Sequence, residues 1–565
     1  MDLLRSENAN TDAVFRNLPK NANYQSQESQ NELLKVVADT ISETIINDIK
    51  ASGMFSVIAD EARDISCSEQ MSICIRFVKE AAIYERFISF VNVHELSAVS
   101  LAAEIVKNLQ ELNLTLSQCV AQCYDGAAVM SGRCQGVQVH LREQCKSPCL
   151  YVHCHAHRLN LVLVNACNNN PCVVSALGLM EGIYTFIRAS TIRHDLFTQC
   201  QRDDGMPVLS LPQQSDTRWV CKHKAVIVFK SRFTSIRNVL SHFASFSMKG
   251  IERVEATGLL KQLQDFQFVF ILHVLDAILP LLSCATTFVQ RKSTDVSSTM
   301  TVIQSTTDAL LAIRNEHSFD KIYTEAVAFC ELNDIPIPDN SVPSVTHPIT
   351  RTPRVRQPPK ALDDFHFVAV GSVADADSAL SHTVKLRQQM FAIVDRLTAE
   401  LDRRFTANKT ELSACDAVYP SSRNFLHFEA MAPLAQQFSY LAINTDSLKA
   451  QVCVAKEMVK KSEKVVTTPE DILQLLHPME SAFPDLYRFI QLVLTLPVSS
   501  AQAERSFSCL KRVKTYLRST MSQQRLNNLC LLSIEREVTD SVLCNLSTLV
   551  DKFAMQKNRR LSLVL

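Results

Sequence analysis

Three acidic residues stand where a chain can direct carboxylates into one cleft. Asp60 closes an apolar run, Val57-Ile58-Ala59-Asp60-Glu61, and Asp125 follows Cys123-Tyr124 and precedes Gly126. Glu504 lies in Ser499-Ser500-Ala501-Gln502-Ala503-Glu504-Arg505, where Pro497 and the Ser499–Gln502 capping-box spacing predict a helix start. Hard divalent cations take oxygen ligands, and Mg²⁺ is commonly held by one or two carboxylates plus phosphate oxygens. Two such ions, about 3.5–4 Å apart, activate the attacking oxygen and stabilise the leaving one in phosphodiester chemistry. Taken singly, each Asp is a turn former or helix cap, and Glu504 is a solvated side chain favoured by the helix dipole. The two Asp residues together, on the strand order given below, favour a shared cleft.

A second cluster is His153, Cys154, His155 and His157. Cys154-x-x-His157 has the spacing of half a zinc site. Cys145–Cys149, Cys167 and Cys172 offer no regular second half, so zinc is not expected there. A structural or DNA-contacting role is favoured for His157, with Arg158 and the Lys222–Lys224 stretch adding positive charge. Trp219, the single tryptophan, follows Arg218. It is either core or a stacking surface for a base, a contact worth about 1–3 kcal/mol. Near the C-terminus an apolar stripe runs through Phe507, Leu510, Val513 and Leu517 and on through Leu526, Leu529, Leu532 and Ile534, with Lys511, Arg512, Lys514 and Arg518 between. Such a stripe fills its own core or joins a partner helix.

The elements that must position these residues follow from periodicity. Helical spacing links Leu33, Leu34, Val37, Ile41, Ile45, Ile46 and Ile49. Strands are expected at Phe55–Ala59, Met71–Val78, Tyr84–His94, Gln118–Cys123 and Leu150–His153, with helices at Ala98–Leu112, from Gly126 to about Gln144, and from His153 through Asn165. The series β-β-β-α-β-α-β-α makes a mixed sheet with helices on its faces. That is the order of RNase H-like nucleotidyl transferases, and it places the strands of Asp60 and Asp125 side by side. The expected fold class is therefore α/β plus mostly α, an RNase H-like mixed sheet with a large all-α block, which the family resemblance given below implies to be an insertion that interrupts it. The expected divisions are a helical segment over 1–50, a first core part over 51–221, a helical insertion over 222–480, C-terminal core helices over 481–545 and a frayed tail over 546–565. Seven prolines between Ile335 and Lys360 predict a disordered loop at about 333–362.

Composition narrows the class further. The 565 residues are 47% hydrophobic and 21% charged with zero formal net charge, so a nucleic-acid surface must be a local patch. The 19 cysteines are scattered and no secretory signal opens the sequence, which predicts reduced thiols. The most apolar stretch, Phe266–Val289, is interrupted by His273, Asp276 and Pro280 and reads as a buried helix pair rather than a membrane span. Neither a membrane partner nor a small-molecule substrate is expected.

These motifs resemble those of hAT-superfamily transposases and transposase-derived proteins. Phe55 to Ser72, FSVIADEARDISCSEQMS, is similar to their first catalytic block. It is nearest the animal subgroup of zinc-finger MYM-type protein 1-like and 52 kDa repressor-like proteins with a DUF4371-type core. Tyr124 to Ala127 resembles the second block, Cys154 to Leu161 the Cys-x-x-His motif before Leu-Asn-Leu, Thr217-Arg218-Trp219 the insertion-region tryptophan, and Ser500 to Ile534 the C-terminal dimerisation region. The resemblance implies a catalytic triad of Asp60, Asp125 and Glu504 binding two Mg²⁺ or Mn²⁺ ions. It implies DNA contacts by Trp219, His157, Arg158 and Arg218, with Trp219 supporting an extruded base or hairpin. It also implies self-association through Phe507, Leu510, Leu526, Leu529 and Leu532, and a nuclear location. Active members carry an N-terminal zinc finger that reads transposon ends. No such finger is legible ahead of Asp60, which leaves a domesticated, catalytically silent regulatory protein as the alternative.

Overall fold

The computed structural model describes residues 26–213, 219–247, 249–291, 294–338, 381–405 and 414–557. They fall into two compact units, one built on a sheet (residues up to Leu159, Thr286–Val302 and from Phe405) and one helical (Asn160–Ala285 and Ile303–Arg404). The stretch 222–480, expected as a single insertion, is thus divided between them.

The sheet unit contains β1 (Phe55–Arg63), β2 (Glu69–Lys79), β3 (Ala82–Val93), β4 (Cys119–Tyr124) and β5 (Leu150–His153) in the order β3-β2-β1-β4-β5. β1–β2 and β2–β3 are antiparallel, whereas β1–β4 and β4–β5 are parallel. The mixed sheet is the one the patterning requires, with β1 and β2 extending beyond their apolar runs. Consecutive β2 residues from Met71 to Val78 are all buried, so both faces of the sheet are covered. Helix α1 (Gln27–Ser52) packs on β2. Helices α2 (Ala98–Glu111) and α3 (Val137–Cys145) pack together, and α4 (His155–Asn168) follows β5.

The chain returns to the sheet with α5 (Pro484–Thr495), α6 (Ala501–Val513) and α7 (Gln523–Ile534). Arg76 of β2 fixes this return. Its fully buried guanidinium donates to the carbonyls of Leu494 (2.9 Å) and Thr294 (2.9 Å) and pairs with Glu85 at 2.8 Å. Helix α7 covers the edge strand β3. Asn527 accepts from the Phe90 N–H (3.0 Å) and donates to its carbonyl (3.0 Å), and the buried Glu535 accepts from the Phe87 N–H. An exposed strand edge is a template for aggregation, and here side chains of the same molecule satisfy it.

The C-terminal stripe is therefore largely intramolecular. Phe507, Leu510 and Leu526 are buried in the sheet-unit core, Val513, Leu529, Leu532 and Ile534 are partly buried, and Leu517 alone of the stripe is exposed. Two further expectations are corrected. The segment from 546 is not a frayed tail throughout. Leu546–Met555 is a helix whose Leu549 and Phe553 pack with Val36 of α1. Phe266–Val289 is one 24-residue helix with Pro280 inside it, rather than a pair.

The helical unit holds Pro171–Arg188, Thr191–Asp203, Trp219–Ser231, Phe233–Phe246, Gly250–Leu263 and Glu316–Leu332, together with most of Phe266–Val289, Val296–Ile313 and His382–Phe405. Aromatic contacts fill its interior. Phe266, Phe270 and Phe319 all pack on Tyr323, and Arg193 lies 4.0 Å over the Phe186 ring. Among the described residues, Phe266–Val289 is long and apolar enough to cross a membrane, and 67% of its most apolar window is buried in the protein. The proline-rich segment lies outside the described residues from 339 onward.

An acid-sensitive clamp joins the β1–β2 hairpin to the end of α6. Asp64 accepts from Ser66 and Ser68 and from Lys514 Nζ at 2.6 Å, with both members of the ion pair buried. Burial alone would raise the Asp64 carboxyl. Lys514 and the serine donors outweigh it and hold the group at about 2. A depressed carboxylate gives stability above its unfolded value, near 3.9, that is lost as pH falls through the folded value. Wild type should therefore lose roughly 2 kcal/mol more than Asp64→Asn between pH 5 and pH 2. Urea denaturation across that window checks it, and parallel pH profiles for the two proteins would refute it.

Candidate active site

Strand register brings Asp60 and Asp125 onto one face. The parallel β1–β4 ladder ends at Ile58↔Cys123, and each Asp lies two residues beyond its partner in that pair. Alternation of side chains then gives both the same side of the sheet. Across the antiparallel ladder Asp60 stands opposite Ser72. Ser72 lies on the β2 face that meets α5 and α6. Its hydroxyl is 2.8 Å from Ser506 Oγ, and Arg76, four residues on, reaches Leu494. Ser506 donates to Ala503 at 2.6 Å, so Ser72 is the donor to Ser506. Helix α6 thus lies over the face that bears Asp60, with Phe507 stacked on Phe90 at 5.7 Å.

Glu504 sits in the first turn of α6. The Asp60 carboxyl is held well above the usual carboxylate range, first by burial, then by the negative charges of Glu504, Cys154 and Asp125. The charges of Asp125 and Glu504 are thus both felt at one carboxyl group. The neighbouring Glu61 is pushed up to about 7 by burial and by the charges of Asp125 and Glu69. Its Oε1 is buried without a hydrogen-bond partner.

The start of α6 differs from the sequence expectation. The N-cap is Ser500, with no side-chain cap bond. Ser499 donates instead to the Val289 carbonyl (3.1 Å), and Gln502 accepts from Arg505. What fixes this turn is the Cys154 region. Cys154 Sγ, fully buried, accepts from the Ser500 N–H (3.2 Å) and from the His157 N–H (3.4 Å). Burial alone would raise the thiol. The bonds from Cys123 and Ser500 outweigh it and push the group below its ordinary range. His155 is pushed down to about 4 by burial and by the Arg158 charge, so its ring is neutral and Nδ1–H donates to the Val498 carbonyl at 2.8 Å. The His155 N–H reaches the same oxygen at 2.9 Å. Cys154 and His155 therefore tether the strand-β5 end to the turn that delivers Glu504.

Cys154→Ala leaves the Ser500 and His157 N–H groups buried without that acceptor. It should cost about 1–3 kcal/mol, and Cys154→Ser should recover part of this. Urea denaturation of both variants decides it, with equal stability of wild type and Cys154→Ala as the contrary result.

Beside the acids runs a series of rings. Tyr151 and His153 lie 6.5 Å apart and His153 and His157 5.6 Å apart. Tyr151 Oη donates to the Asp125 carbonyl at 3.1 Å, and Asp125 Oδ1 accepts from the Ala127 N–H. Gly126 permits the approach of His153, because a Cβ there would come within 2.3 Å of the His153 ring. Arg158 lies 4.7 Å over the Phe405 ring, beside a cleft of about 630 Å³, open mouth included, lined by Tyr151, His153, His155, Arg158 and Phe405. Trp219 begins a helix of the other unit, and Arg218 lies outside the described residues.

Comparison with known proteins bears on the two ends of the chain. The DUF4371 family (ZMYM1/FAM200, RNase-like domain) matches residues 1–136, and the hAT family C-terminal dimerisation region matches residues 451–538. At its C-terminal end the chain is similar to hAT-family proteins. It is 24% identical over 543 residues to the human "52 kDa repressor of the inhibitor of the protein kinase" (Homo sapiens), a match covering 93% of this chain and 67% of the relative. The mouse protein of the same name (Mus musculus) is 23% identical over 534 residues, covering 91% and 66%. The chain thus spans about two thirds of the length of these curated relatives. Within it, the first matched region supplies Asp60 and Asp125, and the second supplies Glu504.

Sequence reasoning missed the partners of Cys154. The motif was legible, but the acceptor role depends on Ser500, far along the chain. It also missed Glu61, whose signal was its place beside Asp60 at the end of a buried strand.

Proposed function

We propose that the sheet unit is an RNase H-like core in which Asp60, Asp125 and Glu504 hold two Mg²⁺ or Mn²⁺ ions for cleavage and transfer of DNA strands. The observation that carries this reading is the register that sets Asp60 beside the Asp125 end of β4, with Ser72, opposite Asp60, bonded to Ser506, two residues from Glu504. The donor set is all oxygen, which suits hard divalent cations, and several carboxylates crowded in partial burial are relieved by a cation. When bound, the ions activate the attacking oxygen and stabilise the leaving one. The chain's own work is positional. Adjacent strands set Asp60 and Asp125, Cys154 fixes the turn that delivers Glu504, and the exposed parts of His157 and Arg158 receive the DNA backbone.

The test is cleavage of labelled DNA by the purified chain with Mg²⁺ or Mn²⁺. Metal-dependent products support the reading. Their absence from a folded protein that binds DNA favours a second one, a hAT-derived nuclear regulatory protein acting through binding alone. The repressor names of the similar proteins favour that alternative.

Self-association belongs to the same proposal, through the exposed end of the stripe rather than its buried part. Tyr516 and Leu517, in the turn after α6, are 84% and 92% exposed within the matched dimerisation region. The Tyr516→Ser/Leu517→Ser double variant should weaken self-association at least about tenfold, the effect of losing ~1.4 kcal/mol, with the melting temperature unchanged. Sedimentation velocity over a concentration series measures it, and an unchanged profile contradicts it.

A further inference from the structure

The other end of β4 carries a second cluster, of different chemistry. Cys119 opens β4, Cys145 ends α3 and Cys149 immediately precedes β5. All three are buried, and their Sγ atoms lie within 4.8 Å of one another, with Cys119 and Cys149 at 3.6 Å. We propose that Cys119, Cys145 and Cys149 form a three-thiolate site for a thiophilic d¹⁰ ion, Zn²⁺ or Cu⁺, that staples α3 to β4 and β5.

Three observations carry this. The first is spacing. Zn–S bonds of about 2.3 Å put tetrahedral ligand sulfurs roughly 3.8 Å apart, so the thiols need only a small contraction. The second is backbone geometry. Lys146 and Cys149 both have positive φ, 51° and 34°. Lys146 is the left-handed C-cap of α3, Cys149 is uncommon in such a conformation as a non-glycine residue, and together they turn the short Cys145–Cys149 loop so that both thiols meet Cys119. The third is support around the ligands. Gln122 donates to the Cys149 carbonyl (3.0 Å) and Ser147 to the Cys119 carbonyl (2.9 Å). Hydrogen bonds to the backbone of the ligand-bearing residues hold the thiols in orientation.

Soft thiolates select Zn²⁺ and Cu⁺ over hard cations. Binding forms three metal–sulfur bonds and releases the protons of whichever thiols still carry them. Zn²⁺ needs a fourth ligand from solvent, whereas Cu⁺ is complete with three. The site is chemically separate from the acidic cluster. Five residue steps along β4 put Cys119 about 16 Å from Tyr124, and an all-sulfur set does not compete for Mg²⁺.

The experiment uses the whole chain, purified anaerobically and reconstituted in separate arms with Zn²⁺, Co²⁺ as its spectroscopic stand-in, or Cu⁺. Expected is one tightly held equivalent per chain by elemental analysis, thiolate-to-Co²⁺ charge transfer of three-sulfur intensity, and at least tenfold weaker binding in Cys145→Ser and Cys149→Ser. The Cys67→Ser/Cys134→Ser control, which removes two exposed thiols, should bind as wild type. Retention of Zn²⁺ or of Cu⁺ assigns the ion. A folded wild type that holds neither overturns the proposal, as does binding unaffected by both single variants. If those variants fail to fold, the wild-type Co²⁺ spectrum decides, and intensity of fewer than three thiolates overturns it. None of these readouts uses DNA cleavage, so this site and the acidic site stand or fall separately.

Discussion

Asp125→Asn is expected to abolish metal-dependent DNA cleavage while leaving the fold intact. Loss of an outer-shell partner of a metal ligand already costs 10–100-fold in affinity or activity, so loss of a ligand should cost at least about 100-fold, or ~2.7 kcal/mol of transition-state stabilisation. The amide keeps the volume of the carboxyl and one oxygen, and Asn can still accept from the Ala127 N–H as Asp125 Oδ1 does at 3.1 Å. The turn into Gly126 should therefore persist. Gel assays of labelled DNA in Mn²⁺, beside circular dichroism and melting of the same preparations, separate the two effects. Cleavage within a few-fold of wild type would remove Asp125 from the chemistry.

The largest expected effect on stability is at Arg76. The guanidinium is fully buried, pairs with Glu85, and caps the carbonyls of Leu494 and Thr294, which come from two segments that return to the sheet. Truncating one member of a buried pair leaves an uncompensated charge and costs about 3–5 kcal/mol. Arg76→Ala should lose that much in urea denaturation. The Arg76→Met/Glu85→Leu double variant should recover part of it, because both buried charges are removed, although Arg505 loses its 3.8 Å contact with Glu85 and the two carbonyls remain unmatched. A loss below about 1 kcal/mol in Arg76→Ala would mean that solvent reaches the pair.

The strands were legible because their apolar runs alternate or are continuous, and because charged or turn-forming residues bound them. Asp60 and Asp125 were legible for the same reason, as carboxylates at the ends of such runs. Glu504 was legible as a helical residue, but its helix start was not. Ser499 was read as a cap on spacing, whereas its hydroxyl is drawn to Val289, far away in the chain. Amphipathicity marks a face to be buried without saying what buries it. Phe507, Leu510 and Leu526 met their own sheet, while Leu517, on the same stripe, stands exposed beside Tyr516 in the short turn after α6. The helix at Leu546–Met555 did have a signal, with Leu546, Leu549, Val550 and Phe553 at helical spacing. The three-thiol cluster had almost none, because it depends on two left-handed residues that no spacing rule anticipates.

The most direct test of a shared metal cleft is Mn²⁺ titration of the intact chain followed by electron paramagnetic resonance, for wild type and Glu504→Gln. If Asp60, Asp125 and Glu504 act on one site, wild type should bind Mn²⁺ saturably, and Glu504→Gln should bind it at least about tenfold more weakly with its melting temperature preserved. Mn²⁺ binding by folded Glu504→Gln equal to that of wild type would contradict the account, since Glu504 would then stand near the two aspartates without sharing their ion.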